Sequence, residues 1–142
     1  MKAFSKIIIF IIPLLIIIWA EPSYESVVNL KDVLLGSIAF ASTSVGFFIA
    51  GVSILQTSNI SKFYKKLVEL GTNKKIIAWL MTSITYMFIL SLLSILVLFF
   101  LNGNFEGIVI ILLNVWLATL CASFLSTLFI ILLFLIIFTN KG

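Results

Sequence analysis

The sequence predicts an all-α integral membrane protein of four transmembrane helices, and three observations carry that expectation. Hydrophobic residues make up 63% of the chain and charged residues 10%, against about 45–50% and about 25% in soluble globular domains. The apolar residues fall into four runs, at 3–20, 33–55, 76–101 and 107–138, and about 20 residues suffice to cross a hydrocarbon core. The lysines alternate from one connection to the next, rich on one side and sparse on the other. A soluble chain this apolar could not cover its surface with polar groups, so lipid is the expected solvent. In lipid every backbone N–H and C=O needs an internal partner, which leaves helix as the state of each run. Residues 1–142 are therefore expected to form one transmembrane domain, with a connection at 56–75.

The first run follows Lys2 and Lys6 and ends at Trp19-Ala20, before Glu21-Pro22. Nothing polar lies between Ile7 and Ile18, so it reads as a lipid-facing outer helix, extended toward Ala3 if Lys6 snorkels. Pro13 is expected to kink it. A cleavable leader is the rival reading. Against it, Ile18 is a poor small residue at the third position before a cut after Ala20.

The second run is rich in small residues at helical spacing: Gly36, Ala39, Thr43, Gly46, Ala50 and Ser53 form one continuous face, widened by Ser37, Ala41 and Ser44. Small residues let helix backbones approach closely in a bilayer. That face serves either packing within one copy or an interface between copies and a pore wall. Phe47 and Phe48 are candidates to constrict such a pore.

The connection at 56–75 holds Lys62, Lys65, Lys66, Lys74 and Lys75 against the single acid Glu69. Ser58 or Asn59 is suited to cap a short helix there and Gly71 to end it. Ile60, Phe63, Leu67 and Leu70 would share its apolar face, giving a basic amphipathic helix lying on anionic lipid. A sensor for an anionic ligand is the sharper alternative.

In the third run Ser83, Met87, Ser91 and Ser94 share a face. The fourth run exceeds a roughly 30 Å core by more than ordinary tilt absorbs. A break or an interfacial segment is expected, before Asn114 or around Ser123–Ser126. Asn102-Gly103-Asn104 reads as a plain turn. The lysines of the N-terminus, the 56–75 connection and the tail (Lys141) fall on one side of a four-pass chain, which predicts both termini in the cytoplasm.

Much chemistry is excluded by composition. There is no histidine and only one cysteine, Cys121, so no internal disulfide, no Cys/His zinc site and no imidazole base exist. All five acids lie outside the middle of the apolar runs, where an ion-coupled transporter would need one. No glycine-rich phosphate loop occurs. An enzyme is not expected, nor a metal or other cofactor. Passive conduction survives, since pores need hydroxyl-bearing helices, apolar constrictions and several copies.

The run from Ala39 to Leu55 (AFASTSVGFFIAGVSIL), the basic segment from Ser61 to Gly71 (SKFYKKLVELG) and the two spans that follow resemble small four-span membrane effectors of bacterial anti-phage defence. These include the exclusion proteins of phage lambda (RexB) and the Hailong channels (HalA). The likeness in layout covers nearly the whole chain, although its motifs are short and arginine is absent here. It implies a gated homo-oligomeric ion channel of the bacterial inner membrane that depolarises the cell on infection. By analogy with Hailong, Lys62, Lys65, Lys66, Lys74 and Lys75 would meet a short single-stranded oligonucleotide. A tetramer is the expected assembly. A non-conducting anchor subunit and a phage holin are the alternatives.

Overall fold

A computed structural model of the chain describes residues 3–57, 71, 73–101 and 107–139. They form four α-helices, α1 (Ala3–Ala20), α2 (Leu30–Thr57), α3 (Asn73–Phe100) and α4 (Ile108–Thr139), with a 3₁₀ turn at Tyr24–Ser26 and no strand among the described residues. The expected amphipathic helix with Lys62, Lys65 and Lys66, its caps at Ser58 or Asn59, and the turn at 102–104 lie outside them.

Three helices are long and apolar enough to cross a membrane, through Leu30–Ser53, Lys74–Phe100 and Ile108–Leu132. The apolar part of α1, Ile7–Ala20, is shorter. With 18 residues, α1 measures about 27 Å, just under a core of about 30 Å. Pro13 lies inside it without ending it. The helix stops where Glu21 takes a φ of 43° while its N–H still reaches the Ile17 carbonyl at 3.2 Å. A left-handed residue followed by Pro22 turns the chain away. Gly107, at φ 54°, opens α4 in a conformation that costs glycine little.

The break expected in the fourth run is not found: α4 is one helix of 32 residues. Its polar side chains are satisfied without opening the backbone ladder. Thr119 donates to the Val115 carbonyl, Ser123 to that of Leu120, and Ser126 and Thr127 both to that of Ser123. Hydroxyls that turn back on their own helix remove the need for an interruption.

The principal packing pairs are α2 with α3, α3 with α4, and α4 with α1. Consecutive helices α1 and α2 thus sit on opposite flanks of an antiparallel α3–α4 pair. The buried residues follow a coiled-coil period: Ile76, Leu80, Ser83, Met87, Leu90, Ser94 and Val97 on α3, in alternating steps of four and three. On α4 the seam is Leu113, Trp116, Thr119, Ser123, Ser126 and Ile130; on α2 it is Leu30, Leu34, Ser37, Ala41, Phe48 and Val52. Between helices in lipid there is no hydrophobic driving force, so close packing and interhelical hydrogen bonds must hold this seam. Trp116 supplies one such bond, its Nε1–H donating to Ser94 Oγ at 2.8 Å, while Ser94 donates to the Leu90 carbonyl.

Candidate functional site

The small-residue face of α2 turns away from the other three helices. Gly36, Ala39, Thr43, Gly46, Ala50 and Ser53 are all exposed, whereas of the residues expected to widen the face Ser44 is half-buried and Ser37 and Ala41 are buried in the seam. A Cβ built on Gly36 or Gly46 meets nothing within 4 Å. The opposite face of the same helix carries the packed seam. The reason lies in side-chain size: Leu34, Phe48 and Val52 fill the space against α3, while the small residues offer α3 little to pack against. The hydroxyls on the outward face are internally satisfied, Thr43 to the Ala39 carbonyl at 2.8 Å and Ser53 to that of Ile49 at 2.9 Å. Their donors therefore do not face hydrocarbon unpaired.

Phe47 and Phe48 stand in different surroundings. Phe47 is 76% exposed beside the small-residue face, whereas Phe48 is 6% exposed and belongs to the protomer's core. Successive residues of a helix point about 100° apart, so one of two adjacent phenylalanines faces in and the other out.

Of the basic cluster, Lys74 and Lys75 are described, and both are exposed in the first turn of α3. No acid accompanies them in that turn. The positive end of a helix is an unfavourable place for lysine. Cys121 is half-buried on α4. Among the described residues no group of His, Cys, Asp and Glu is arranged to hold a metal ion.

Other polar features were not legible as sites. Tyr24, buried in the short connection between α1 and α2, donates its phenol O–H to Asn114 Oδ1 at 2.7 Å. Burial pushes the Tyr24 phenol up to about 12. Neither residue stands in a motif, and only the fold brings them together. Six hydroxyl residues, Ser37, Ser83, Ser94, Thr119, Ser123 and Ser126, are buried between α2, α3 and α4. Ser83 Oγ alone of these has no hydrogen-bond partner among the described residues. An unpaired buried hydroxyl costs about 1–3 kcal/mol. A groove of about 320 Å³ also opens between α1, α3 and α4, between Phe10, Tyr86 and Thr119. It is almost wholly apolar and faces the region expected to hold lipid.

These features define a class: a helical membrane protein whose described residues carry three membrane-length helices and one shorter apolar helix. Comparison goes no further, since no protein family, no curated protein and no solved structure matches the chain.

Proposed function

We propose that the protein is a gated, homo-oligomeric ion channel of the bacterial inner membrane that depolarises the cell, acting as an anti-phage effector. The observation that carries this reading is the exposure of Gly36, Ala39, Thr43, Gly46, Ala50 and Ser53 along α2 in a single copy. A continuous face of small residues at a flank of the bundle suits close approach of another membrane helix, and four helices from one copy enclose too little space for a pore. In this reading α1 is the fourth span, both termini are cytoplasmic, and copies associate through α2, with four as the expected number. The defence role rests on the resemblance in layout. Lys74 and Lys75, with Lys62, Lys65 and Lys66 of the same connection, are suited to anionic lipid or to an anionic cytoplasmic ligand such as a short single-stranded oligonucleotide.

Purified protein in potassium-loaded vesicles tests conduction. Dissipation of an imposed potential that scales with the protein-to-lipid ratio supports the channel. An intact potential over the whole range, with protein of monomer mass in several mild detergents, overturns it and leaves the anchor reading. Release of folded proteins from the vesicles would mark a holin.

A further inference from the structure

The seam between α2, α3 and α4 changes character at one depth. The rings of Trp79 on α3 and Phe129 on α4 meet with centroids 4.6 Å apart. Ser83 lies four residues beyond Trp79, and Ser126 lies three residues before Phe129. Because the two helices run antiparallel with the same rise, Ser83 and Ser126 lie at one depth. The Trp116–Ser94 hydrogen bond, on the far side of this pair, gives the same register. Phe40 of α2 stacks on Phe124 at 4.8 Å, which brings Ala41 to that depth as well. The layer therefore consists of Ala41, Ser83, Ala122, Ser123 and Ser126, none with exposed surface. Toward the Lys74 end it is bounded by Trp79, Leu80 and Ile130, and toward the Phe100 end by Met87, Leu90 and Trp116, all buried. A layer of small residues is thus enclosed between two bulkier ones. The one toward Phe100 also holds Thr119, its hydroxyl bonded to the Val115 carbonyl.

Ser123 and Ser126 discharge their donors on their own helix, yet each oxygen keeps acceptor capacity. Ser83 Oγ, fully buried, has no partner among the described residues. A hydroxyl in that position either turns back on its own helix, as Ser94 does, or binds a small hydrogen-bonding molecule.

We propose that this layer binds water inside the bundle, anchored by the Ser83 hydroxyl. A water with two or more polar partners relieves an otherwise unpaired buried hydroxyl. The bulkier buried residues on either side separate such water from the bulk. The site rests on the unpartnered Ser83 hydroxyl and the register of the seam, and it does not depend on the channel reading.

Magnetisation transfer from water, read by solid-state NMR on protein reconstituted in phosphatidylglycerol-containing vesicles, tests the site. Signals of Ser83 and Ser126 are expected to build up several-fold faster than those of Leu90 and Val97, which are equally buried on the same bundle. Ser83→Ala should slow Ser126 to the rate of Leu90, and Ser83→Thr, which keeps the hydroxyl, should not. A Ser83 signal as slow as that of Leu90, or an unchanged Ser126 in Ser83→Ala, overturns the site. Ion flux from the same vesicles separates the two ideas. Fast transfer without flux keeps the water site and removes the channel, whereas flux through protein with a dry Ser83 removes the site and keeps the channel.

Discussion

The phenol of Tyr24 and the side-chain amide of Asn114, 90 positions apart, are joined by a hydrogen bond of 2.7 Å. It ties the connection between the two flanking helices, α1 and α2, to the start of α4. The same burial that makes this bond worth keeping raises the phenol to about 12, because a phenolate there would be poorly solvated.

Tyr24→Phe should therefore destabilise the fold by about 1 kcal/mol, with Asn114→Ala similar. The double variant should lose little more than either alone, since both remove one interaction. Thermal unfolding in a mild detergent measures this. The pH dependence has a definite sign. A phenol whose folded value lies above the ordinary 10 contributes stability that is complete below pH 10 and lost as pH rises toward 12. Stability of the parent should fall across that window, and the fall should be smaller in Tyr24→Phe.

Trp116 and Ser94 offer a comparable test deeper in the bundle. Trp116→Phe keeps most of the ring but removes the donor, and Ser94 retains its bond to the Leu90 carbonyl. The expected cost is about 0.6–1.7 kcal/mol, the range for interhelical hydrogen bonds in membranes. An unchanged unfolding midpoint would assign the tie to packing alone.

Topology has its own measurement. Cysteine placed at Glu25, exposed in the connection after α1, should react with an impermeant thiol reagent from outside intact cells. Cysteine at Lys75, exposed at the start of α3, should react only after permeabilisation. The reverse pattern would overturn the orientation drawn from the lysines.

How much of this could be read in advance follows from what the residues encode. The three long helices were legible because length and hydropathy alone set them: Leu30–Ser53, Lys74–Phe100 and Ile108–Leu132 leave the backbone no other state in lipid. Of the α3 face predicted from spacing, Ser83, Met87, Ser91 and Ser94, the structure buries Ser83, Met87 and Ser94 and leaves Ser91 half-buried. The direction of the α2 face was not. In water, Gly36 to Ser53 would read as the solvent side, but in lipid small residues suit an internal seam and an external one equally. Side-chain volume on the other face, above all Phe48, decided the matter. The expected break in α4 rests on length, but length alone does not interrupt a helix: Ile108–Leu132 suffices to cross and the helix simply continues past it. Tyr24–Asn114 was invisible because nothing local marks either residue.

The division of α2 into two faces leads to the most discriminating prediction. Gly46 has open space where a side chain would stand, so Gly46→Leu should fit the isolated protomer. It should leave stability unchanged or gain up to about 1 kcal/mol, since glycine is a poor helix residue. Ala50→Leu, also on the outward face, should behave alike. If this face joins copies, both variants should reduce the oligomer to smaller species and abolish depolarisation while still inserting into the membrane. The phenylalanines should then separate. Phe48→Ala hollows the core and should destabilise the protomer by about 3 kcal/mol, the low end for such cavities because lipid removes much of the transfer term. Phe47→Ala removes only an exposed ring, so it should leave the fold intact and act on conduction alone, as leak without a trigger if Phe47 narrows the path between copies. Ile9→Leu in α1 should do neither. Native mass in detergent, unfolding midpoints and dye-reported membrane potential in expressing cells read the three effects separately. Should Gly46→Leu assemble and depolarise like the parent, α2 is not the contact between copies, and any path must run through the seam of α3 and α4.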